Sequence, residues 1–207
     1  MQSVKSVAGG LYKSGTRALA ALLLLPAMAV PALANDLLLT PEPMDEAFFG
    51  FAGRMMAEVY NPFRGWEDNY YLGAGYQRLW GDPDGFRYGG EVGVTGRFGQ
   101  ESSLEGWAGV VGRYDWTIGP VRAGASLTFG LSAVTNTLVG RERESEEFHG
   151  GNAALLFYLA PELNLSLAEH PETELFLRLH HRSGAWETLG DMAAGADAGV
   201  VGLRWHF

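Results

Sequence analysis

The sequence contains no cysteine among its 207 residues. This absence excludes disulfide bonds and thiolate metal sites, so the fold must be held by strand pairing and packing. Long apolar runs are also absent after the first 34 residues, which excludes a membrane helix of about 20 apolar residues there. Basic residues are scarce, with 15 against 24 acidic ones and a formal net charge of −9. This balance argues against nucleic acid as a partner.

Residues 1–34 have the three parts of a secretory signal peptide: a basic start, an apolar middle and an Ala-Leu-Ala cleavage signal ending at Ala34. We predict that this peptide is cleaved and that residues 35–207 form a single domain. A retained anchor is the alternative, although its apolar stretch is shorter than the roughly 20 residues of a membrane helix. Because the leader holds three basic and no acidic residues, cleavage leaves 12 basic and 24 acidic residues, a net charge of −12.

The remaining sequence alternates between polar and apolar residues over stretches of about ten residues, as outer-membrane β-barrels do. In residues 121–133 the odd positions are Val, Ala, Ala, Leu, Phe, Leu and Ala, whereas the even ones are Arg, Gly, Ser, Thr, Gly and Ser. Successive strand side chains point to opposite faces, so one face is apolar. Seven strands are predicted in this way, at 69–80, 86–97, 104–116, 121–133, 148–159, 172–183 and 197–207. An eighth is predicted at 46–56, with a short amphipathic helix as the alternative.

Aromatic residues distinguish a membrane barrel from a soluble sandwich with one buried face. The chain ends with Leu203, Trp205 and Phe207 on one face, which resembles the last strand that outer-membrane barrels present to their insertion machinery. Aromatic girdles near other strand ends are predicted from Tyr70, Trp80, Tyr114 and Trp116. We therefore predict an all-β, eight-stranded antiparallel barrel in the Gram-negative outer membrane. Its expected partners are outer-membrane lipids and the barrel insertion machinery.

Charged residues on the inward-facing parity are expected to fill the lumen. An eight-stranded barrel is just filled by its side chains, which disfavours a pore function. Buried charges persist when they are paired, so mutual ion pairs are the simplest interpretation. The charged run 141–147 is interpreted as a solvated loop. The inward residues are Arg87, Glu91, Arg97, Glu105, Arg113, Asp115, Arg122, Arg178, His180, Arg182, Arg204 and His206.

An apolar row on the strand 172–183 ends in a histidine and a serine. Three leucines at odd positions share their face with His181 and Ser183. A polar group that meets hydrocarbon without a partner costs roughly 1–3 kcal/mol. Either these two residues lie beyond the apolar band or they serve chemistry, and the two options are compatible. A histidine beside a serine is what base-activated nucleophilic catalysis requires.

The last strand supplies an acid on the same outer face, because counting back in twos from Phe207 reaches Asp197. The ten residues from Phe207 back to Asp197 extend about 3.3 Å each along a strand that is tilted by about 40° from the membrane normal. Asp197 therefore lies about 25 Å above the periplasmic end, which is the height of the apolar band. We therefore expect His181, Ser183 and Asp197 at the outer-leaflet rim, where lipopolysaccharide acyl esters lie. Residues 184–196 become an extracellular loop. With His181 opposite Asp197, the three leucines face Leu203, Val201 and Gly199.

These residues resemble the outer-membrane lipid A 3-O-deacylases, also called acyloxyacyl hydrolases. The resemblance covers about the last 35 residues, where His181-Arg182-Ser183 matches the His-x-Ser motif of the family's seventh strand and Asp197 the acid of its last strand. It implies an esterase that removes a 3-O-linked hydroxyacyl chain from lipid A without metal or cofactor. In this mechanism Ser183 attacks the acyl carbonyl, His181 accepts and returns the proton, and Asp197 orients the imidazolium.

The sequence departs from the family at three points. Asp197 stands where the family usually has Glu, and the connection before it is about two residues longer. Gly184 replaces an Asn that helps form the oxyanion hole, so the Gly184 backbone N–H is the candidate donor. Glu187 and Asp191 are alternative acids. Two other functions fit the sequence: a non-enzymatic barrel that stabilises the membrane or binds surface partners, and an acyltransferase that uses the same residues.

Overall fold

Eight antiparallel strands close into a barrel within residues 44–207, the part of the chain that the computed structural model describes. The predicted signal peptide at 1–34 lies outside the described residues. The strands are β1 (Met44–Met56), β2 (Trp66–Gly81), β3 (Phe86–Phe98), β4 (Ser102–Ile118), β5 (Val121–Val134), β6 (Leu155–Leu167), β7 (His170–Ser183) and β8 (Asp197–His206). Each strand pairs with the next, and β8 pairs with β1. The predicted fold class is confirmed, and the segment 46–56 is a strand rather than a helix.

The alternation of side chains in β5 is confirmed by burial. Leu127, Phe129 and Leu131 are exposed on the outer wall, whereas Ser126 and Thr128 are buried inside. Removing apolar surface from water is favourable, and a wall of this kind is covered by lipid in a membrane barrel. In β5 the apolar residues are therefore on the outside and the polar ones on the inside, the reverse of a soluble protein.

Connections of different length distinguish the two ends of the barrel. Short turns at 82–85, 119–120 and 168–169 join the strands at one end. At the other end, three longer connections emerge, at 57–65, 135–154 and 184–196, together with the short turn 99–101. Outer-membrane barrels have short periplasmic turns and longer extracellular loops, so the long-loop end is extracellular. Among residues 44–207, no helix has the length and apolarity to cross a membrane.

Strand β6 begins and ends later than the sequence indicated. Phe148, the predicted first residue of the strand, belongs instead to helix α1 (Arg141–His149). The residue that follows this helix, Gly150, has a left-handed backbone with φ 65°. Gly150 supplies that conformation without steric cost. At the other end, Pro161 does not stop the strand, because the ladder to β7 skips it and resumes at Glu162. A proline is tolerated where no ladder hydrogen bond is required.

Ion pairs join the charged side chains of the lumen, as the inward parity predicts, and a cluster of buried aromatic residues shares the interior with them. Arg178 binds Glu91 at 2.7 Å and Glu162 at 2.7 Å, and His180 Nε2 lies 2.8 Å from Glu105 Oε1. Arg122 differs, because it lies beside the turn 82–85 and its guanidinium donates to the Pro83 carbonyl. Other ion pairs of the lumen join Arg87 to Asp45 and Asp115, Arg113 to Asp115 and Glu174, Arg204 to Glu162 and Glu174, and His206 to Asp45.

The charged run 141–147 was expected to be a solvated loop, and this expectation is wrong. The run lies in α1, and Glu142 has no exposed surface. Its carboxylate accepts hydrogen bonds from the guanidinium groups of Arg97 and Arg182 at the extracellular end of the lumen. The two inward arginines need counter-charges because an unpaired buried charge is costly, and Glu142 supplies one from the loop.

Glu91 is expected to be critical for stability. Its carboxylate accepts hydrogen bonds from Arg178 at 2.7 and 2.8 Å, Trp107 at 3.0 Å and Gln77 at 3.0 Å. We expect Glu91→Ala to lower the free energy of unfolding by about 3–5 kcal/mol, because it removes one partner of a buried ion pair. Urea unfolding in detergent micelles, followed by tryptophan fluorescence, measures the loss. The control Val94→Ala, on the lipid-facing side of the same strand, is expected to cost less. Equal losses would contradict the prediction.

Candidate functional site

A histidine and an aspartate form a buried pair on the outer face of the barrel. His181 Nδ1 lies 2.5 Å from Asp197 Oδ1, and the residues are only 5% and 1% exposed. Both follow the outward parity of their strands, because they continue the row of exposed leucines on β7 and of exposed apolar residues on β8. The predicted register is confirmed: His181 pairs with Asp197, and the leucines pair with Gly199, Val201 and Leu203.

Two loop residues that the sequence did not single out cover this pair. The Tyr60 hydroxyl, from the connection 57–65, lies 2.8 Å from His181 Nε2, and the two ring centroids are 4.7 Å apart. Arg141, the first residue of α1, places a guanidinium nitrogen 2.5 Å from Asp197 Oδ2. The long loops therefore bury an outward-facing pair that a bare barrel wall would leave exposed.

The hydrogen-bond directions in this cluster follow from the chemistry of its members. An ionised carboxylate only accepts, so His181 donates its Nδ1–H to Asp197 and the neutral imidazole keeps a lone pair at Nε2. Tyr60 then donates its hydroxyl proton to Nε2. Burial raises the pKa of Tyr60, and the negative charge of Asp197 raises it further, while Arg141 opposes the rise. Tyr60 therefore remains a protonated donor at neutral pH.

Ser183 ends β7 two residues beyond His181, on the same outer parity. Its Oγ accepts a hydrogen bond from the Ala185 N–H at 3.0 Å, and within residues 44–207 no hydrogen bond joins Ser183 to His181. The backbone that follows is strained, since Ala185, Trp186 and Glu187 have φ of 49°, 56° and 67°. The structure thus joins two of the three predicted residues and leaves the serine bonded to its own loop.

The other predicted site residues lie in the connection 184–196. Gly184 begins it, its carbonyl accepts the Leu189 N–H at 2.9 Å, and a Cβ there would overlap the Met192 carbonyl oxygen. This close approach requires glycine, and a role for its N–H toward an oxyanion stays a prediction. Glu187 and Asp191 are exposed, and His181 Nδ1 contacts Asp197 instead of either acid. Within the described residues, no cluster of acidic and histidine side chains is arranged to hold a metal ion.

A shallow apolar groove of about 470 Å³ runs along the outer wall beside the pair. Gly199, two residues from Asp197 on β8, is one of its lining residues, and a Cβ there would come within 2.9 Å of the Trp66 ring. Among the lining residues within 44–207, Arg54 is the one cation, and it binds Asp68 at 2.7 Å. The groove has the shape and polarity that suit an acyl chain. Its lining is Ala52, Gly53, Arg54, Trp66, Leu177, Gly199, Val200 and Val201.

Comparisons with known proteins identify the fold. No protein-family model matches the sequence, and no curated protein matches it. Among solved structures, the barrel is similar to the outer membrane enzyme PagL, with a TM-score of 0.52, 16% identity, and coverage of 77% of this chain and 98% of that one. It is also similar to Neisserial surface protein A, NspA, with a TM-score of 0.50, 14% identity, and coverage of 80% and 100%. At these identities the similarity establishes the fold alone. The chain is a small eight-stranded barrel of the Gram-negative outer membrane.

Proposed function

We propose that this barrel is an outer-membrane esterase that removes a 3-O-linked hydroxyacyl chain from lipid A, the membrane anchor of lipopolysaccharide. Ser183 is the nucleophile, His181 the base, and Asp197 the group that positions the imidazole. The observation that carries the proposal is the 2.5 Å contact between His181 Nδ1 and Asp197 Oδ1 on the lipid-facing wall. A base held in one tautomer by a carboxylate is the arrangement that activates a neighbouring hydroxyl.

The position of the pair supports a lipid substrate. It lies at the long-loop end, where the outer leaflet meets the extracellular side. The apolar groove beside the pair offers a place for an acyl chain. Arg54 lies in the lining of this groove, where its guanidinium can bind an anionic group of the lipid headgroup. An ester bond at the junction of chain and headgroup would then lie at the level of His181.

The reaction requires two rearrangements of the site, and the first is that the Tyr60 hydroxyl leaves His181 Nε2. Ser183 Oγ must turn from the Ala185 N–H toward His181 Nε2, a change of side-chain rotamer. As Oγ bonds to the acyl carbonyl carbon, its proton moves to Nε2, and the ester C–O bond then breaks with return of that proton to the leaving oxygen. The Gly184 N–H is the candidate donor to the oxyanion. Water then hydrolyses the acyl-serine, again with His181 as the base.

A non-enzymatic barrel is the second candidate, and the contacts of Ser183 favour it. The Ser183 hydroxyl is hydrogen-bonded to its own loop. Tyr60 is hydrogen-bonded to His181 Nε2, and Arg141 to Asp197 Oδ2, so each polar side-chain atom of the pair has a partner. Such a cluster also ties the loops 57–65, 135–154 and 184–196 to the wall. An acyltransferase would use the same acyl-serine and differ only in its acceptor.

Mass spectrometry of lipid A tests the proposal. Gram-negative cells expressing the unmutated chain are compared with cells expressing His181→Gln, which keeps a side-chain amide N–H for Asp197 but removes the base. We expect loss of one hydroxyacyl mass only with the unmutated chain. Retarded gel mobility after heating verifies that both proteins are folded in the outer membrane. The unmutated chain is also expressed in cells whose lipid A carries different acyl chains. If it leaves every one of these lipid A species unchanged, the result would support the non-enzymatic barrel.

A further inference from the structure

Tyr60 and Ser183 require the same atom of His181. With the Nδ1–H donated to Asp197, the imidazole has a single lone pair, at Nε2. The Tyr60 hydroxyl occupies that lone pair at 2.8 Å. A serine proton cannot be accepted at Nε2 while this hydrogen bond persists, because one lone pair accepts one proton. The two hydroxyl groups therefore exclude each other at the base.

We propose that Tyr60 is a latch that keeps the site inactive until an acyl substrate displaces it. This inference rests on the proposed function, since it concerns the base of that reaction. The structure corresponds to the latched state, in which Ser183 is turned away and bonded to the Ala185 N–H at 3.0 Å. In the open state Tyr60 leaves Nε2 and Ser183 takes its place.

The connection 57–65 is built to release Tyr60 easily. Tyr60 is 54% exposed and has a left-handed φ of 55°, a conformation that costs energy for a residue other than glycine. The two ends of the connection are joined by the Ala57 N–H to the Gly65 carbonyl at 3.1 Å, and the turn that holds Tyr60 is closed by one long hydrogen bond, from the Asn61 N–H to the Glu58 carbonyl at 3.4 Å. The hold on His181 consists of one hydrogen bond and one ring contact.

The same connection carries exposed apolar residues beside the groove, where a lipid would contact them. Phe63 is 96% exposed and Val59 is 41% exposed. Trp66, where β2 begins, lies over Gly199 in the apolar groove. An acyl chain that enters the groove therefore meets the segment that carries Tyr60. Displacement of the latch and binding of the substrate are thus coupled through one short connection.

Tyr60→Phe tests the latch, because it removes the hydroxyl and keeps the ring. Tyr114→Phe is the matched control, since Tyr114 is an equally exposed tyrosine of the outer wall, on β4. Two rates are measured on each purified, folded protein in detergent micelles: hydrolysis of lipid A, and modification of His181 by diethyl pyrocarbonate, which attacks an unprotonated imidazole nitrogen. Tandem mass spectrometry separates His181 from the buried neighbour His180, which serves as an internal control.

We expect both rates to rise by about threefold to tenfold in Tyr60→Phe, the effect of one net hydrogen bond on a two-state equilibrium. Tyr114→Phe is expected to change neither rate. An unchanged rate of modification overturns the latch, whatever happens to hydrolysis. Faster modification with slower hydrolysis also overturns it, and makes Tyr60 a supporting residue of the reaction. Faster modification with no hydrolysis in any protein shows that the contact exists, while it rejects both the esterase and its latch.

Discussion

Purified Ser183→Ala protein is expected to release acyl chains from lipid A about 10⁴- to 10⁶-fold more slowly than the unmutated protein. The reason is that the covalent acyl-serine cannot form, so only binding and oxyanion stabilisation remain. The measurement is the initial rate of fatty-acid release in detergent micelles. Ser102→Ala is the control, because Ser102 is an exposed serine at the extracellular end of β4. Its rate is expected to be that of the unmutated protein.

The Ser183→Ala barrel is expected to remain folded. The Ser183 side chain accepts one hydrogen bond, from the Ala185 N–H, and its loss is expected to cost about 0.5–1.5 kcal/mol. Gel mobility before and after heating therefore separates a loss of chemistry from a loss of structure. A folded Ser183→Ala protein that hydrolyses lipid A at more than half the normal rate would contradict the role of this serine.

Asp197→Asn is expected to lower kcat by about 10⁴-fold, because an amide no longer fixes the His181 tautomer or stabilises its positive charge. Asp197 Oδ1 lies 2.5 Å from His181 Nδ1, and Arg141 holds the other carboxylate oxygen at 2.5 Å. The substitution changes the charge and leaves the shape of the side chain almost unchanged. The measurement is again the initial rate of fatty-acid release, with KM determined separately, since the groove itself is unaltered.

Asp191→Asn is the matched control for this experiment. Asp191 is an exposed acid of the connection 184–196, and it was an alternative partner of the histidine on sequence grounds. Its substitution removes the same charge at a position six residues before Asp197 and is expected to leave kcat unchanged. Equal kcat values for Asp197→Asn and Asp191→Asn would show that the His181–Asp197 pair does not serve the reaction.

The wall of the barrel was predictable because strands impose a period of two. The parity that places His181 outward and the count from Phe207 that places Asp197 outward use only this geometry. Pairing the two strands so that apolar residues face each other then fixes the register, and His181 pairs with Asp197 as expected. A slip of one residue would have turned the apolar row of β7 inward.

The loops that complete the site could not be predicted in the same way. Tyr60 and Arg141 lie outside the strands, where no periodicity relates a residue to a face. Tyr60 reaches His181 across 121 positions of sequence. Its left-handed backbone is one that tyrosine rarely adopts, so no local signal in the sequence places it there. The closed barrel brings these residues to the His181–Asp197 pair from two different connections, 57–65 and 135–154.

Glu142 shows the same limit for the lumen. In sequence it belongs to a charged run, and such a run is usually a solvated surface. In the barrel it is fully buried between Arg97 and Arg182, two arginines from different strands. The two arginines are buried only in the closed barrel, so the sequence does not show that they require a counter-charge. Glu142 supplies that charge, whereas Glu144 of the same run stays exposed.

Covalent labelling of the purified barrel with a fluorophosphonate that carries a long alkyl chain tests the central claim most directly. Such a reagent reacts with an activated serine, and peptide mass spectrometry identifies the modified residue. We predict a single adduct on Ser183, which is absent in His181→Gln and forms faster in Tyr60→Phe. No adduct on Ser183, or an adduct there at the same rate in His181→Gln, would contradict activation of this serine by the His181–Asp197 pair.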